Sequence, residues 1–435
     1  MSYNKSTMKV VICSHFISPR LEYIAQWLEN RWSLPVRINE KLTAQEAIII
    51  HYGKNHTGTR AVSMPDSGLL SRSGIDPVDI KPNLSDTHCK LFYARHSSTL
   101  DLDFDYFSMV FYLLSRYEEY IYPETDEHGR WISTQSAAVQ HGFIRQPILD
   151  LWLIYIEGII ETKTPYRFDR NRPINYVPTI DIDIPYAYKN KQWRNLAGFV
   201  RDTILVDKIK VSARMSYMRD HIDPYDTYDY LLEQLQPYTE SRFFFLCKYQ
   251  KPFDENHLIQ KKEFRQLVER IAQSHPIGIH PSYTSNSDAP AIAAESKILA
   301  AITDQSITAS RQHFLRMSMP QTYQALIKAG ITSDHSMMYA DQLGFRASTC
   351  HPFQWYDLSQ ERTTELTIHS PCLMDVTLKN YLKLTPEESR AVIDELKKTI
   401  SAVNGTLEFI WHNSSFSAAH GWDGWQETFE YLLKA

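Results

Sequence analysis

The sequence predicts an α/β protein whose second part, residues 166–435, is a parallel sheet closed or nearly closed into a (β/α) barrel of about seven strands. An α+β domain is predicted before it, at residues 1–165. The 435 residues exceed the ~150 residues of a typical domain. Residues 162–175 are polar, contain two prolines and lack an apolar period, which is typical of a domain boundary. After this boundary, short β-type runs alternate with helical runs, although an open doubly wound sheet would give the same alternation.

The N-terminal domain is predicted from four segments. Residues 9–13, KVVIC, form a short apolar run typical of a strand. A helix is predicted from Ser18 onwards, because apolar residues recur at helical spacing after a Ser-Pro start. Residues 105–115 are apolar nearly all round, which indicates a buried helix, and a further helix follows Pro147. No group of catalytic residues stands out in this domain.

The strands of the barrel are predicted from short β-type runs between helical segments. These runs lie at residues 175–183, 210–215, 242–248, 276–280, 306–314, 330–336 and 406–413. The last helix between them begins at Thr385 with the sequence Thr-Pro-Glu-Glu, a good N-cap pattern.

Charge, apolar runs and cysteine spacing argue against several classes of protein. With 46 basic and 51 acidic residues the net charge is −5, which argues against nucleic-acid binding through overall positive charge. The sequence has neither the 7–15-residue apolar core of a signal peptide nor the ~18 apolar residues of a membrane span, so we expect a cytoplasmic protein. The cysteines are too scattered for a disulfide frame or a thiolate zinc site, at Cys13, Cys89, Cys247, Cys350 and Cys372.

Ionisable side chains recur where the predicted strands end. In parallel α/β folds the carboxyl ends of the strands meet at one mouth, where chemistry takes place. The residues at these ends are Asp181, Asp183, His280, Arg311, His313, Asp334, His335 and His412. Any one of them could be a polar strand end or a packed histidine, but their joint placement favours a metal site.

The pair Asp181 and Asp183 carries most of this argument. In an extended segment the two carboxylates project from the same face, because side chains alternate with a period of two residues. Two like charges so close repel each other unless a cation lies between or beside them. A divalent metal would supply that cation.

Four short segments in this order resemble the motifs of the polysaccharide deacetylases of carbohydrate esterase family 4. The segments are TIDID at 179–183, GIHPS at 278–282, SRQHF at 310–314 and FIWHN at 409–413. The resemblance covers roughly residues 170–435 and implies a distorted (β/α) barrel with a metal held by one aspartate and two histidines. The N-terminal part is similar to the domain that precedes a divergent bacterial branch of these proteins.

The resemblance also implies roles for individual residues. Asp183 and His280 would be metal ligands. The second motif of the family has two histidines, four positions apart. His280 matches the first, but the second position is Thr284 here, so His313, at the end of the adjacent strand, is the substitute third ligand. Asp181 would be the general base.

Three more roles complete the implied catalytic set. Arg311 would steady Asp181, the backbone amide of Phe314 would help hold the oxyanion, and His412 would be the general acid. Zinc is the expected metal, with cobalt, nickel or iron as alternatives.

The implied activity is metal-dependent hydrolysis of acetyl groups, N-linked through an amide or O-linked through an ester, on a polysaccharide or glycan precursor. Tyr283, in a segment that the divergent branch shares, is a further candidate for substrate binding. Trp411 could stack on a sugar ring, with core packing as the alternative. Arg346 could bind a substrate carboxylate or pair with Asp334, with a structural salt bridge as the alternative.

Two other functions stay open at this stage. One is glycoside hydrolysis on a related barrel, which needs two carboxylates ~5–9.5 Å apart. Asp181 with Asp334 or Asp375 could supply that pair. The other is an inactive member that only binds glycan, having lost a ligand at Thr284.

Overall fold

The computed structural model describes residues 8–39, 47–53, 61–84, 88–94, 100–122, 124–170, 172–205 and 207–434. The strands are β1 Lys9–Cys13, β2 Val36–Ile38, β3 Ala47–Tyr52, β4 Ala61–Met64, β5 Asn175–Ile182, β6 Arg242–Leu246, β7 Tyr249–Gln250, β8 Asp254–Glu255, β9 Ile277–His280, β10 Ala309–Ser310, β11 Ser333–Asp334, β12 Phe353–Asp357, β13 Arg362–Ile368, β14 Leu373–Met374 and β15 Thr406–His412.

The α-helices are α1 Pro19–Trp32, α2 Tyr106–Leu114, α3 Tyr117–Ile121, α4 Ala137–Gln140, α5 Ile148–Lys163, α6 Gln192–Ile204, α7 Lys208–Asp220, α8 Tyr228–Leu235, α9 Lys262–Ala272, α10 Ala289–Thr303, α11 Gln321–Lys328, α12 Pro386–Ser401 and α13 Trp425–Leu433. Within the described residues, none of these helices combines the length and the apolar character that a membrane crossing requires.

The N-terminal region contains a four-stranded parallel sheet in the order β2-β1-β3-β4. The predicted strand at 9–13 is β1, and α1 begins after Ser18, whose hydroxyl accepts a hydrogen bond from the Leu21 amide. Every residue of α2 is buried, as its apolar sequence predicts. The region is therefore mixed α and β in structure.

The C-terminal region contains a nine-stranded sheet in the order β12-β13-β11-β10-β9-β6-β5-β15-β14. Its strands are parallel except for the antiparallel pair β12–β13. The sheet is curled into a half-barrel with β12 and β14 at its two edges. The predicted α/β architecture is thus confirmed in this coarser form, without closure of the sheet in the part of the chain that is described.

Three sequence predictions about the strands were wrong or incomplete. Residues 210–215 lie inside helix α7, because the Asp207 carboxylate caps that helix by accepting from the Lys210 amide and no α7 side chain is buried in a sheet. The strands predicted at 306–314 and 330–336 shrink to the two-residue β10 and β11. Strands β12, β13 and β14 were not predicted.

Buried ion pairs join the N-terminal region to the half-barrel. Arg346 donates to both carboxylate oxygens of Glu119, at 2.9 and 2.6 Å, and all three of Arg116, Glu119 and Arg346 are buried. Arg116 also donates to Glu119 and to the backbone oxygen of Arg346. Burial alone would raise the pKa of Glu119, but the two guanidinium groups hold it below its ordinary value.

Candidate metal centre

Six of the predicted site residues line a cavity of about 190 Å³ at the carboxyl ends of the half-barrel strands: Asp181, Asp183, His280, His313, Phe314 and His412. Asp183 follows the end of β5, His280 and His412 are the last residues of β9 and β15, and His313 lies three residues beyond β10. The parallel register of β5 and β15 places His412 beside Asp181. Side chains from four separate strands thus converge, as the strand-end rule predicts.

Three ligand atoms meet at one point of this cavity. Asp183 Oδ1 lies 3.2 Å from His280 Nε2 and 3.5 Å from His313 Nδ1, and the two histidine nitrogens are 3.0 Å apart. Ligand atoms bound ~2.0–2.1 Å from a tetrahedral ion lie ~3.3 Å from one another. The observed separations therefore match a set of three ligands around one ion.

Hydrogen bonds on the far side of each ring fix which nitrogens face the cavity. His280 Nδ1 lies 2.6 Å from the Arg311 backbone oxygen, and His313 Nε2 lies 3.2 Å from that of Phe253. Since a carbonyl oxygen only accepts, each of these nitrogens carries the proton, and the other presents a lone pair. Asp183 Oδ1 is buried and accepts no hydrogen bond from the described residues.

The pKa shifts of Asp183 and His313 favour the forms that bind a metal. Burial alone would raise the pKa of Asp183, but His313, His280 and His412 together hold it well below its ordinary value, so the carboxylate is ionised. Burial lowers the pKa of His313 despite the nearby Asp183, which favours the neutral imidazole. Burial alone would lower the pKa of His280, but the Asp181 and Asp183 carboxylates raise it, as they would attract a metal cation to the same place. One ionised carboxylate and two imidazole nitrogens are a donor set that zinc and related divalent metals bind, with the metal taking the place of a proton between the two rings.

Asp181 lies beside the proposed ligands and is held from behind by Arg311. Its Oδ1 atom is buried and without a hydrogen-bond partner in the described residues, and its Oδ2 atom lies 3.8 Å from Arg311 Nη1. Arg311 is fully buried and is positioned by a 2.7 Å bond to Thr179 Oγ1, a 3.4 Å contact with Glu408 and the ring of Phe244. A buried carboxylate with a free oxygen at the cavity wall is able to accept a proton.

His412 is on the opposite side of Asp183 and carries a carboxylate partner of its own. Asp375 Oδ1 accepts from His412 Nδ1 at 2.8 Å, and Asp375 Oδ2 accepts from the His412 backbone amide at 2.8 Å. Nε2 of His412 lies 3.8 Å from Asp183 Oδ2. Burial alone would lower the pKa of His412, but Asp375, Asp183 and Asp181 raise it to about 10, so the ring is a proton donor at neutral pH.

The turn after His313 has an unusual backbone. Phe314 and Leu315 have φ angles of 60° and 53°, in the left-handed region that L-residues with side chains seldom adopt. The Phe314 backbone oxygen accepts from Arg130 Nη1 at 3.3 Å, and Phe314 lines the cavity. This turn directs His313 and Phe314 to the same cavity.

Four further residues were predicted to bind substrate. Tyr283 stacks on Phe253 with ring centroids 3.9 Å apart, and its hydroxyl lies 3.2 Å from His128 Nδ1. Its ring also contacts that of Phe314, which lines the cavity, but Tyr283 itself does not line it. The predictions for the other three residues are corrected by their buried positions. Trp411 is fully buried and packs in the core against Phe429, so its ring is not presented to a sugar.

Asp334 and Arg346 do not pair with each other. The Asp334 carboxylate is buried and accepts from the hydroxyls of Ser310 and Ser336 at 2.7 and 2.9 Å. Arg346 forms the buried salt bridge with Glu119 described above, which was the structural alternative. Neither side chain has a free charged face for a substrate.

Two other groups of side chains bring three candidate ligand atoms together. They are Asp150 with Cys350 and His351, and Glu408 with His335 and His369. In each group a guanidinium already lies beside the carboxylate: Arg31 is 3.1 Å from Asp150 and Arg311 is 3.4 Å from Glu408. Glu408 also accepts from His335 Nδ1 at 2.8 Å. Both carboxylates are therefore neutralised by the chain itself.

Sequence reasoning missed two contributions to the site. Asp375 follows the end of β14, and the strand-end rule would have given its role had that two-residue strand been recognised. Arg130 belongs to the N-terminal region and reaches the cavity. At the cavity it donates to Tyr381 Oη and to the Phe314 backbone oxygen. No local sequence signal indicates that contact.

Comparisons with known proteins give three results. Residues 10–165 match the protein family described as "Family of unknown function (DUF7033)". A comparison with curated protein sequences gives no match. Part of the chain is also similar in structure to several solved proteins.

A "putative polysaccharide deacetylase" from Mycobacterium smegmatis is 13% identical, with 60% of this chain and 84% of that chain covered and a TM-score of 0.37. A polysaccharide deacetylase from Bacillus cereus is 12% identical, with 59% and 89% covered and a TM-score of 0.25. A mutant CE4 family pseudoenzyme with restored enzymatic activity is 12% identical, with 62% and 69% covered and a TM-score of 0.29. TM-scores below 0.5 do not establish a shared function.

Proposed function

We propose that the chain is a metal-dependent hydrolase that removes acetyl groups from a glycan or polysaccharide precursor. The observation that carries this proposal is the convergence of Asp183 Oδ1, His280 Nε2 and His313 Nδ1 within 3.5 Å of one another. The resemblance of the surrounding motifs to carbohydrate esterase family 4 supplies the reaction and the substrate class. A divalent metal held by these three residues would polarise an acetyl carbonyl and lower the pKa of a water molecule.

The residues around the ligands supply the proton transfers. Asp181, with its buried free oxygen on the cavity wall, would accept the proton of the attacking water. Arg311 keeps this carboxylate in place through its contacts with Thr179 and Glu408. His412, protonated and held by Asp375, would donate a proton to the departing sugar nitrogen or oxygen. The Phe314 amide is proposed as an oxyanion donor.

The two rival functions fit the arrangement less well. Glycoside hydrolysis would need a second carboxylate facing Asp181 across the cavity. Asp334 is buried and bonded to two serines, and both oxygens of Asp375 are engaged by His412. The departure at Thr284 does not by itself favour an inactive binder, because His313 provides a third ligand atom.

The test is acetate release from N-acetylglucosamine oligosaccharides by the zinc-loaded protein, compared with its Asp181→Asn variant. We expect acetate from the wild-type protein, and a kcat lower by about 10²–10⁴-fold in the variant. New reducing ends without acetate would favour a glycosidase. Oligosaccharide binding without bound metal or product would favour a glycan-binding protein. Either result would contradict the proposed function.

A further inference from the structure

A second cavity of about 370 Å³ adjoins the metal cavity. The two cavities share four lining residues: Arg130, Leu315, Ala340 and Tyr381. The second cavity is lined on its other side by residues of the N-terminal region, including Trp131 and Ile132. The two cavities therefore lie side by side, with Arg130 and Tyr381 at their boundary. The four segments that resemble carbohydrate esterase family 4 lie between residues 179 and 413, so they do not include these N-terminal residues.

The N-terminal wall of this cavity is fixed to the half-barrel by several hydrogen bonds. Arg130 donates to Tyr381 Oη at 3.2 Å and to the Phe314 backbone oxygen at 3.3 Å, and it is itself held by Asp126 at 2.7 Å. On the other side of the turn, Arg316 Nε donates to the His128 backbone oxygen at 2.6 Å. The turn at Phe314 and Leu315 is thus hydrogen-bonded to the N-terminal region on both sides, which fixes it as part of the cavity wall.

A further hydrogen bond joins the far end of the same wall to the half-barrel. Ser133 Oγ donates to Asp341 Oδ2 at 2.7 Å. The ring of Trp131 stacks on that of Tyr339, with centroids 6.2 Å apart. The two rings line the cavity but are only 6% and 3% exposed, so they form a rigid wall, and the polar contacts to a sugar fall to the carboxylates beside them.

The charges at this cavity set a preference for its ligand. Three carboxylates line it, on Asp126, Glu127 and Asp341, against two guanidinium groups, on Arg130 and Arg346. Arg130 is paired with Asp126, and Arg346 with Glu119 outside the cavity. The Glu127 side chain is 88% exposed, and its Oε1 atom lies 3.7 Å from His128 Nε2. The surplus of negative charge repels a sugar that carries a carboxylate or a phosphate and accepts a neutral or amino sugar.

We propose that this second cavity is a sugar subsite of the active site, built by residues 126–133, which binds the neutral ring next to the acetylated one. This inference rests on the proposed function, because the ring in the metal cavity is the one that loses its acetyl group. The N-terminal region is then a specificity-determining part of the enzyme. The expected substrate is at least a disaccharide without acidic groups.

The experiment compares acetate release from N-acetylglucosamine and from its β-linked disaccharide. We expect kcat/KM to be about tenfold or more higher for the disaccharide, since binding energy from the second ring is used at the reacting one. Ile132→Trp fills the second cavity without touching the metal cavity, and it should remove this advantage while zinc binding is retained. The matched control is Ile222→Trp, because Ile222 is 62% exposed and lines neither cavity.

A charge variant tests the preference for neutral sugars. Glu127→Lys should raise kcat/KM for a disaccharide of glucuronic acid and N-acetylglucosamine by about threefold or more relative to the neutral disaccharide. Acetate release that is equal for one and two rings and unaffected by Ile132→Trp would overturn the subsite while leaving the proposed function intact.

Binding measurements separate the subsite from the reaction. If no acetate is released but calorimetry shows disaccharide binding that Ile132→Trp abolishes, the hydrolase proposal fails and the subsite is supported. If neither acetate release nor sugar binding is seen, both proposals are contradicted.

Discussion

Replacing His313 by glutamine should remove most of the thermal stabilisation that zinc gives to this protein. A ligand at ~1,000 times its Kd that binds only the folded state stabilises it by about 4.1 kcal/mol. At about 2.1 cal/mol/K per residue, the 435-residue chain has an unfolding entropy of about 0.9 kcal/mol/K. Zinc should therefore raise the Tm of the wild-type protein by about 4.5 °C.

The variant loses one of the two imidazole ligands of the proposed site. Removing a residue that only hydrogen-bonds to a metal ligand typically lowers metal affinity by about 10–100-fold. We therefore expect removal of the ligand itself to lower the affinity by at least about 100-fold, which is about 2.8 kcal/mol. At the same zinc concentration, the rise in Tm of His313→Gln should fall to about 1.5 °C or less.

The assay is scanning calorimetry of metal-free protein with and without zinc. His141→Gln is the matched control, because His141 belongs to none of the described groups of candidate ligands. The reasoning is refuted if zinc stabilises His313→Gln as much as the wild-type protein, or if the control loses the stabilisation.

Three other changes have defined outcomes. Asp181→Asn should lower kcat for acetate release by about 10²–10⁴-fold and leave the zinc-induced rise in Tm in place; a near-normal kcat would show that Asp181 is not the base. Asp375→Asn removes the carboxylate that raises the pKa of His412 to about 10. Because the general acid must be protonated, the alkaline limb of the kcat/KM profile should move to lower pH by at least about one unit, and an unmoved limb would contradict the pairing. Glu119→Gln leaves Arg346 buried beside an uncharged amide and should lower the free energy of unfolding in urea by about 3–5 kcal/mol, whereas a loss under about 1 kcal/mol would mean that the ion pair is dispensable.

The candidate site was accessible to sequence reasoning because it follows a topological rule. Residues that end parallel strands share one edge of the sheet, so Asp183, His280 and His412 could be grouped without knowledge of their distances. The structure brings these three side chains together, and His313 reaches the same point from the turn after β10. The mixed α/β architecture could be predicted for the same reason, from the alternation of short apolar runs and helices.

Contacts between distant parts of the chain could not be predicted in this way. Arg346 and Glu119 are 227 positions apart, and no period or spacing indicates that they pair. Arg130 lies 251 positions from its partner Tyr381, and no sequence pattern indicates that it reaches the cavity. Trp411 shares its strand with His412, but its side chain alternates to the core side of the sheet, which the period-2 rule could have shown.

Some errors came from local signals that were weak or overlooked. Residues 210–215 contain one β-branched side chain, and the Asp207 cap that starts α7 lies just upstream, so a helix was the better prediction. Strands β12 and β13 form an antiparallel pair joined by a short connection, which is a recognisable hairpin pattern. The closure of the sheet depends on how its edge strands meet, and no single sequence segment determines that.

The central claim is that one divalent metal is held by Asp183, His280 and His313. Anomalous diffraction at the zinc absorption edge, from a crystal of the full-length protein soaked in zinc, tests this claim most directly. We predict one strong peak ~2.0–2.2 Å from His280 Nε2, His313 Nδ1 and a carboxylate oxygen of Asp183. A peak at Glu408, His335 and His369 instead, or no peak at Asp183, would contradict it.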